Sequence, residues 1–91
     1  MPLKWTCPSI NDLREAGEFI ASDNPQAAER MAERVQEAVE YLLEHPNMGR
    51  VGRVSGTREL VVSGTPFIIV YRVIVPTIQI LRVLHHSRKW T

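Results

Sequence analysis

The stretch from Thr57 to His86, TRELVVSGTPFIIVYRVIVPTIQILRVLHH, decides the fold of this chain. Its valine, isoleucine, leucine and aromatic residues fall into three runs, residues 57–63, 67–75 and 78–86, which is typical of β-strands. Gly64-Thr65-Pro66 and Pro76-Thr77 separate these runs. Because connections this short join antiparallel neighbours, the stretch predicts a three-stranded antiparallel meander.

A two-helix hairpin is predicted before the meander. Pro8-Ser9 begins the first helix, with Ser9 as the expected N-cap, and Asn24-Pro25 ends it and begins the second. The first helix would bury one face: Ile10, Leu13, Gly17 and Ile20. The second, residues 25–44, has a stripe of Ala28, Met31, Ala32, Val35, Val39 and Leu42. Residues 2–7 are predicted to form an edge strand. Because a hairpin with one apolar side needs a sheet to cover, the chain is expected to be one α+β domain, residues 1–91.

Composition limits the classes of protein to consider. The longest apolar run, residues 66–71, is much too short for a membrane span, and the N-terminus has no secretion signal. Cys7 is the one cysteine, so no internal disulfide can form, which fits a reducing compartment. These features predict a cytoplasmic protein without membrane contact.

Charge is divided unevenly along the chain. Residues 1–45 hold nine acids and four bases and carry −5, whereas residues 46–91 hold seven bases and one acid and carry +6. Six of those seven bases are arginine, the side chain suited to bidentate contact with carboxylate or phosphate. Either the C-terminal half meets an anionic partner, or the two halves neutralise each other across the fold.

Alternation along the strands places arginines among apolar residues. One face of the last strand would hold Ile80, Arg82, Leu84 and His86, and one face of the middle strand would hold Ile68, Val70, Arg72 and Ile74. A sheet face of this composition could dock a partner. The loop of residues 46–56 presents Arg50 and Arg53 but lacks the lysine and spacing of a phosphate-binding loop.

Two adjacent histidines, His85 and His86, close the last strand. Neighbours on a strand point to opposite faces, and no third ligand is apparent. The sequence therefore predicts no metal site, and no other cofactor.

Three segments carry a resemblance to a known family. They are Gly49-Arg50 with Gly56-Thr57-Arg58-Glu59-Leu60, then residues 66–73, PFIIVYRV, and the ending Val83-Leu84-His85 with Arg88-Lys89-Trp90. With the order strand, two helices and three strands, they resemble the RelE/ParE toxin superfamily of type II toxin–antitoxin systems over nearly the whole chain. The Leu-His-x-x-Arg-x-aromatic ending is most similar to the ParE branch.

The resemblance implies a toxin that a cognate antitoxin neutralises. A ParE-like member would bind DNA gyrase and block replication without making or breaking bonds. The target-binding residues would be Arg50, Arg53, Arg88 and Trp90. Arg72 and Arg82 would hold antitoxin carboxylates, or Glu59 of the chain itself. Operator DNA would be bound only through the antitoxin, because a net charge of +1 is small for DNA binding by the toxin alone.

Two alternatives stay open. A RelE-like member would cut messenger RNA on the ribosome, with His85 as the acid or base and Arg58 and Arg82 as the phosphate clamp. Glu59 could serve as a base, but it adjoins Arg58 on one strand and so faces the other side of the sheet. The other interpretation of His85 is a structural, hydrogen-bonded histidine at a strand end. The third interpretation is a non-toxic interaction or DNA-binding module that represses its operon only in complex.

Overall fold

The computed structural model describes residues 2–85. Its elements follow in the order β1 (Leu3–Trp5), α1 (Cys7–Asp23), α2 (Pro25–Glu44), β2 (Arg50–Val51), β3 (Arg58–Val61), β4 (Phe67–Ile74) and β5 (Thr77–His85). The fold is α+β, as predicted, with the helix hairpin inserted after the first strand.

All five strands form one sheet in the order β1-β5-β4-β3-β2. The predicted meander of β3, β4 and β5 is confirmed, and β1 lies at one edge, parallel to β5. The other edge is β2, which pairs with β3 through Arg50–Glu59 and Val51–Arg58. The prediction that residues 46–56 form a loop throughout is therefore wrong at β2. Two residues are too few to show strand periodicity in the sequence. They form a strand because they pair with the edge of β3.

The first helix begins earlier than predicted. Thr6, not Ser9, is the N-cap, and its hydroxyl accepts a hydrogen bond from the backbone N–H of Ser9. Ser9 is fully buried in the first turn, where its own hydroxyl donates to the carbonyl of Thr6 at 2.7 Å. Pro8 can lie inside this turn because a first-turn residue needs no N–H donor. Ile10 is 53% exposed and so does not belong to the buried face.

The second helix agrees closely with its sequence signals. The side chain of Asn24 caps it by accepting from the N–H of Ala27 at 3.1 Å. The predicted stripe supplies its four buried residues, Met31, Val35, Val39 and Leu42. Ala32 is exposed, so the buried stripe is narrower than predicted.

A bulge in β5 changes which residues face the helices. Tyr71 pairs with Ile80, but Val70 pairs with Arg82, so Leu81 is an extra residue between the two pairs. Ile80 consequently lies in the core beneath the helices. The prediction that Ile80 and Arg82 share a face is wrong, because alternation does not continue through an inserted residue.

The core lies between the helix hairpin and one face of the sheet. Its fully buried members are Leu42 of α2 and, on the side of the sheet, Val62, Ile69, Tyr71, Ile78 and Ile80. Neither of the two helices in the described chain is long and apolar enough to cross a membrane.

Candidate functional site

The segment from Arg50 to Glu59, called the basic hairpin below, is built around a buried carboxylate. The Glu59 side chain is 2% exposed, and its Oε1 lies 3.3 Å from Arg50 Nη2. Its Oε2 accepts from the backbone N–H of Arg53 at 3.1 Å and lies 3.9 Å from Arg53 Nε. The two arginine side chains are 61% and 51% exposed, so their outer sides face solvent. The other predicted target-binding residues, Arg88 and Trp90, lie outside the described residues.

The ionisation of Glu59 follows from these contacts. Burial alone would raise the pKa of this carboxyl group, because a carboxylate loses hydration. The hydrogen bond from the Arg53 N–H and the cations of Arg50 and Arg53 outweigh burial, so the pKa of Glu59 lies below its ordinary value of 4.5. At neutral pH one carboxylate therefore holds two arginines, and the cluster keeps a net positive charge.

Tyr71 anchors the chain that leads into the basic hairpin. Its buried hydroxyl accepts from the N–H of Gly49 and donates to the carbonyl of Pro46, both at 2.8 Å. Burial raises the pKa of Tyr71, so the phenol stays protonated. A Cβ on Gly49 would lie 2.7 Å from the Tyr71 ring and hydroxyl, which excludes larger residues where the chain passes the phenol. The sequence signal for this role is the one hydroxyl-bearing side chain in β4, because a buried phenol needs a partner.

The turn of the basic hairpin exposes valines beside the cations. The N–H of Gly52 donates to the carbonyl of Thr57 at 2.8 Å, and the Thr57 hydroxyl donates to the carbonyl of Val54 at 2.6 Å. Val51 is 79% exposed and Val54 is 46% exposed. The hairpin thus presents apolar and cationic side chains together, a composition suited to contact with a protein partner.

A second charged cluster joins α1 to the bulge of β5. Asp12 accepts from Arg82 Nε at 2.6 Å, from Arg82 Nη2 at 2.9 Å and from the backbone N–H of Val83 at 3.0 Å. The hydrogen bond to Asp12 raises the pKa of Arg82. Sequence reasoning missed this pair, because the two residues lie 70 positions apart and no local signal connects them.

The prediction that Arg72 or Arg82 holds Glu59 is wrong. Arg72 Nε donates to the side chain of Gln79 at 2.6 Å, and Arg82 is paired with α1. The reason is β2, whose pairing with β3 brings Arg50 opposite Glu59. Arg72 is exposed and Arg82 is partly exposed.

The three residues of the endonuclease alternative do not converge. Arg58 pairs with Tyr71, and His85 pairs with Phe67, so they are two strands apart and four residues apart along β4. Strand spacings put their backbones about 16 Å from each other. Arg58 donates to backbone carbonyls of the loop before β2, at 2.8 and 3.3 Å, and Arg82 binds α1.

His85 lies at the end of β5 with its ring edge-on to Phe67, at a centroid distance of 5.7 Å. It lines a cleft of about 430 Å³ between α1 and β5, together with Asp12 and Glu15. Within residues 2–85, no three His, Cys, Asp or Glu side chains group in a way that could hold a metal ion.

Comparison with known proteins gives the class of this molecule. The model of the family "ParE toxin of type II toxin-antitoxin system, parDE" matches residues 3–90. A relative from Sinorhizobium fredii, named "Putative toxin Y4kP", is 42% identical over 88 residues, covering 97% of this chain and 91% of the relative. Toxin RelE2 of Caulobacter vibrioides is 37% identical over 84 residues, covering 92% of this chain and 93% of the relative.

A solved structure agrees. The chain is similar to the chromosomal ParDE TA system from P. aeruginosa with a TM-score of 0.81 and 31% sequence identity, covering 93% of this chain and 95% of that one. The first strand, the helix hairpin and the five-stranded sheet are thus the fold of the RelE/ParE toxin superfamily. Within that superfamily, the chain belongs to the family of ParE toxins of type II toxin–antitoxin systems.

Proposed function

We propose that this toxin inhibits DNA gyrase, and so replication, by binding rather than by catalysis, and that a cognate antitoxin neutralises it. Membership in the ParE family supports the antitoxin partner and the choice of gyrase. The basic hairpin is the surface that meets the target. Of the two predicted antitoxin contacts, the exposed Arg72 meets antitoxin carboxylates, whereas Arg82 is already paired with Asp12 and is the weaker candidate. Operator DNA is reached only through the antitoxin.

The observation that carries the binding mode is the buried Glu59. It positions Arg50 and Arg53 while leaving both side chains more than half exposed. Side chains that are already held in place lose less conformational entropy when a partner binds. The exposed Val51 and Val54 add apolar contact beside them. These features favour a prepared docking surface over a loop that must become ordered on binding.

The endonuclease alternative has less support. Metal-free RNA cleavage needs acid, base and cations around one phosphate, within hydrogen-bond distance of the reacting atoms. The backbones of Arg58 and His85 are about 16 Å apart by strand spacing, the Arg58 guanidinium is bound to backbone carbonyls of the loop before β2, and Arg82 is held by Asp12. The comparison that favours the endonuclease function is the relative named Toxin RelE2.

Labelled precursors separate the two functions in cells. The chain is induced without antitoxin, and incorporation of labelled thymidine and labelled methionine is followed in the same culture. Early loss of thymidine incorporation, together with inhibition of supercoiling by purified gyrase, is the expected result. Early loss of methionine incorporation with active gyrase would overturn the proposal and favour the ribosome as the target.

Variants of the basic hairpin test its role without disturbing Glu59. Val51→Asp and Val54→Asp place acids on exposed positions beside the arginines. The matched control is Phe19→Asp, since Phe19 is 79% exposed on α1 and lies beside Phe67 and His85, at the end of β4 away from the hairpin. We expect the hairpin variants to lower gyrase inhibition about tenfold or more, as for central interface residues, and the control to leave it unchanged. Equal inhibition by all three would remove the hairpin as the docking surface.

A further inference from the structure

The buried carboxylate of the basic hairpin lies on the face of the sheet that points away from the helices. Arg50 pairs with Glu59, and Glu59 pairs with Val70, so these three side chains share one face. Tyr71, the next residue of β4, is in the core beneath the helices, so the shared face is the outer one. The N–H of Arg53 donates to Glu59, which brings the turn of the hairpin to the same face.

The outer face continues along β4 to the turn before β5. Because side chains alternate along a strand, Val70, Arg72 and Ile74 lie on one face. Arg72 pairs with Gln79 of β5, and its Nε donates to the Gln79 side chain at 2.6 Å across that face. Arg72 is exposed, as are Ile74 at the end of β4 and Val75 in the turn. These three residues, Arg72, Ile74 and Val75, are called the β4–β5 corner below.

The β4–β5 corner is close to the basic hairpin. Val51, Arg58 and Tyr71 form one row across β2, β3 and β4, because each pairs with the next. Arg72 is one residue beyond this row, so strand spacings put its backbone about 10 Å from that of Val51, and the backbone of Ile74 about 14 Å from it. An interface of ordinary size buries about 800 Å² on each partner, which is a patch about 30 Å across. One partner surface can therefore cover both parts.

The positive charge of the hairpin and the corner is only partly neutralised. Arg50 and Arg53 share the carboxylate of Glu59, whereas the side chain that holds Arg72 is the neutral Gln79. Arg72 makes no ion pair with any residue of the described chain. Three guanidinium groups and one carboxylate leave a surplus of two positive charges. The partner of this surface should therefore be anionic.

Exposed apolar side chains lie beside these cations. Val51 is 79% and Val54 is 46% exposed in the hairpin, and Ile74 is 50% and Val75 is 80% exposed in the corner. Nine large apolar side chains are exposed among the described residues, and these four are at one end of the sheet, so they form a cluster rather than isolated exposed residues. Arginine together with exposed apolar residues is typical of protein contacts, whereas binding to a phosphate backbone depends on the cations.

We propose that the target surface extends from the basic hairpin to the β4–β5 corner, and that both parts bind one anionic and partly apolar surface of gyrase. Carboxylates of gyrase lie opposite the arginines of both parts, and apolar side chains of gyrase lie against Ile74 and Val75. The proposal rests on the proposed function, because it extends the surface assigned there to gyrase. Since Arg72 is also the predicted antitoxin contact, the antitoxin and gyrase would compete for it.

The composition of the surface argues against two other occupants. A second copy of this chain, bound through the same surface by a twofold axis, would bring the arginines of the two copies together, and like charges that meet weaken a contact. Nucleic acid would use the arginines but would leave the exposed Ile74 and Val75 without apolar contact, because most of its contacts are made by phosphate and sugar.

Full-chain variants separate the corner from the hairpin. Val75→Asp places an acid on an exposed apolar position, and Arg72→Glu reverses a charge. Their matched controls are on α1: Phe19→Asp, at a side chain of almost equal exposure, and Arg14→Glu, at an arginine whose side chain is 67% exposed. Arg72→Lys keeps the charge and should stay close to the parent chain. Thermal unfolding confirms that each variant is folded, and Ile74→Asp takes the place of Val75→Asp if that variant does not fold.

Affinity for purified gyrase is measured by surface plasmon resonance, and inhibition is measured in the supercoiling assay. We expect the corner variants to bind and inhibit about fivefold more weakly or worse, and Arg72→Lys and the two controls to stay within about twofold. Raising the salt concentration from about 0.1 to 0.5 M should shrink the difference between the parent chain and Arg72→Glu, because salt screens exposed charges. Corner variants that inhibit like the parent chain would overturn the extension, even where Val51→Asp weakens inhibition. A parent chain that does not bind gyrase would instead overturn the proposed function, so the two failures are distinguishable.

Three further measurements identify other occupants. Binding of the parent chain to a short DNA duplex without gyrase, lost in Arg72→Glu, would mean that nucleic acid occupies the corner and would overturn the proposal. Self-association of the parent chain in analytical ultracentrifugation, abolished by Val75→Asp, would mean a second copy and would also overturn it. Arg72→Glu that no longer binds the product of the small open reading frame adjacent to this gene, but inhibits gyrase fully, would mean that Arg72 serves the antitoxin alone, which contradicts the proposed extension.

Discussion

Replacing Glu59 by Gln tests whether one buried carboxylate holds the basic hairpin. The change keeps the shape and one acceptor oxygen but removes the charge shared by Arg50 and Arg53. Hydrogen bonds to charged groups contribute about 1.5–3 kcal/mol each, and two such contacts, at 3.1 and 3.3 Å, would weaken. Because the arginines are more than half exposed, solvent screens them. We therefore expect a total loss of about 1–3 kcal/mol.

For a chain of this size, a loss of about 2 kcal/mol lowers Tm by about 8–16 °C. The matched control is Glu37→Gln, because Glu37 also pairs with an arginine, Arg34, but at 3.8 Å and with 65% of its side chain exposed. That control should cost less than about 0.5 kcal/mol. Thermal unfolding followed by circular dichroism compares the two. If Glu59→Gln unfolds at the same temperature as the control, the carboxylate does not hold the hairpin.

The pH dependence of the same variant has a definite sign. The pKa of Glu59 is lower in the folded chain than its ordinary value, so its stabilisation is complete above about pH 4.5 and is lost as pH falls through the folded pKa. The free-energy difference between the parent and Glu59→Gln should stay constant from about pH 6 to 8 and shrink below about pH 4.5. Urea unfolding at several pH values measures it. A difference that grows on acidification would contradict the assignment.

Three further substitutions test other contacts. A double-mutant cycle of Asp12→Asn and Arg82→Ala should give a coupling of about 1–2 kcal/mol in urea unfolding, and additive effects would mean that the pair is not stabilising. Tyr71→Phe should cost about 1–3 kcal/mol, because it leaves a buried N–H and C=O without their partner. Tyr41→Phe, at a half-exposed tyrosine, is its control and should change little. His85→Ala should keep full toxicity in a growth assay, and a folded but harmless variant would favour the endonuclease alternative.

The elements that the sequence predicted well are those with purely local causes. The second helix has a capping Asn24, a Pro25 that fits the first position, and an apolar stripe at helical spacing. The meander has long β-branched runs and short breaks. None of these signals needs a distant residue to interpret it, so the fold class follows from the sequence.

The errors occur where distant backbone decides the local structure. β2 is two residues long and exists because β3 offers it an edge, which no periodicity within the segment can show. The bulge at Leu81 shifts the alternation of β5, and Asp12 of α1 binds the backbone N–H of Val83 just after it. A contact across 71 positions is not encoded in either segment alone.

The uneven charge of the two halves left two interpretations open, an anionic partner or neutralisation between the halves. In the structure, each interpretation fits different arginines. Arg82 is neutralised by Asp12 from the acidic half, so part of the asymmetry is balanced across the fold. Arg50 and Arg53 instead share Glu59, a carboxylate of their own half, and keep a surplus charge that faces solvent. A surface for an anionic partner requires positive charge that the fold holds in place but does not neutralise. Charge counting could locate the basic half, but only the pairing of each guanidinium shows that Asp12 neutralises Arg82, whereas Arg50 and Arg53 share one carboxylate and keep a surplus charge.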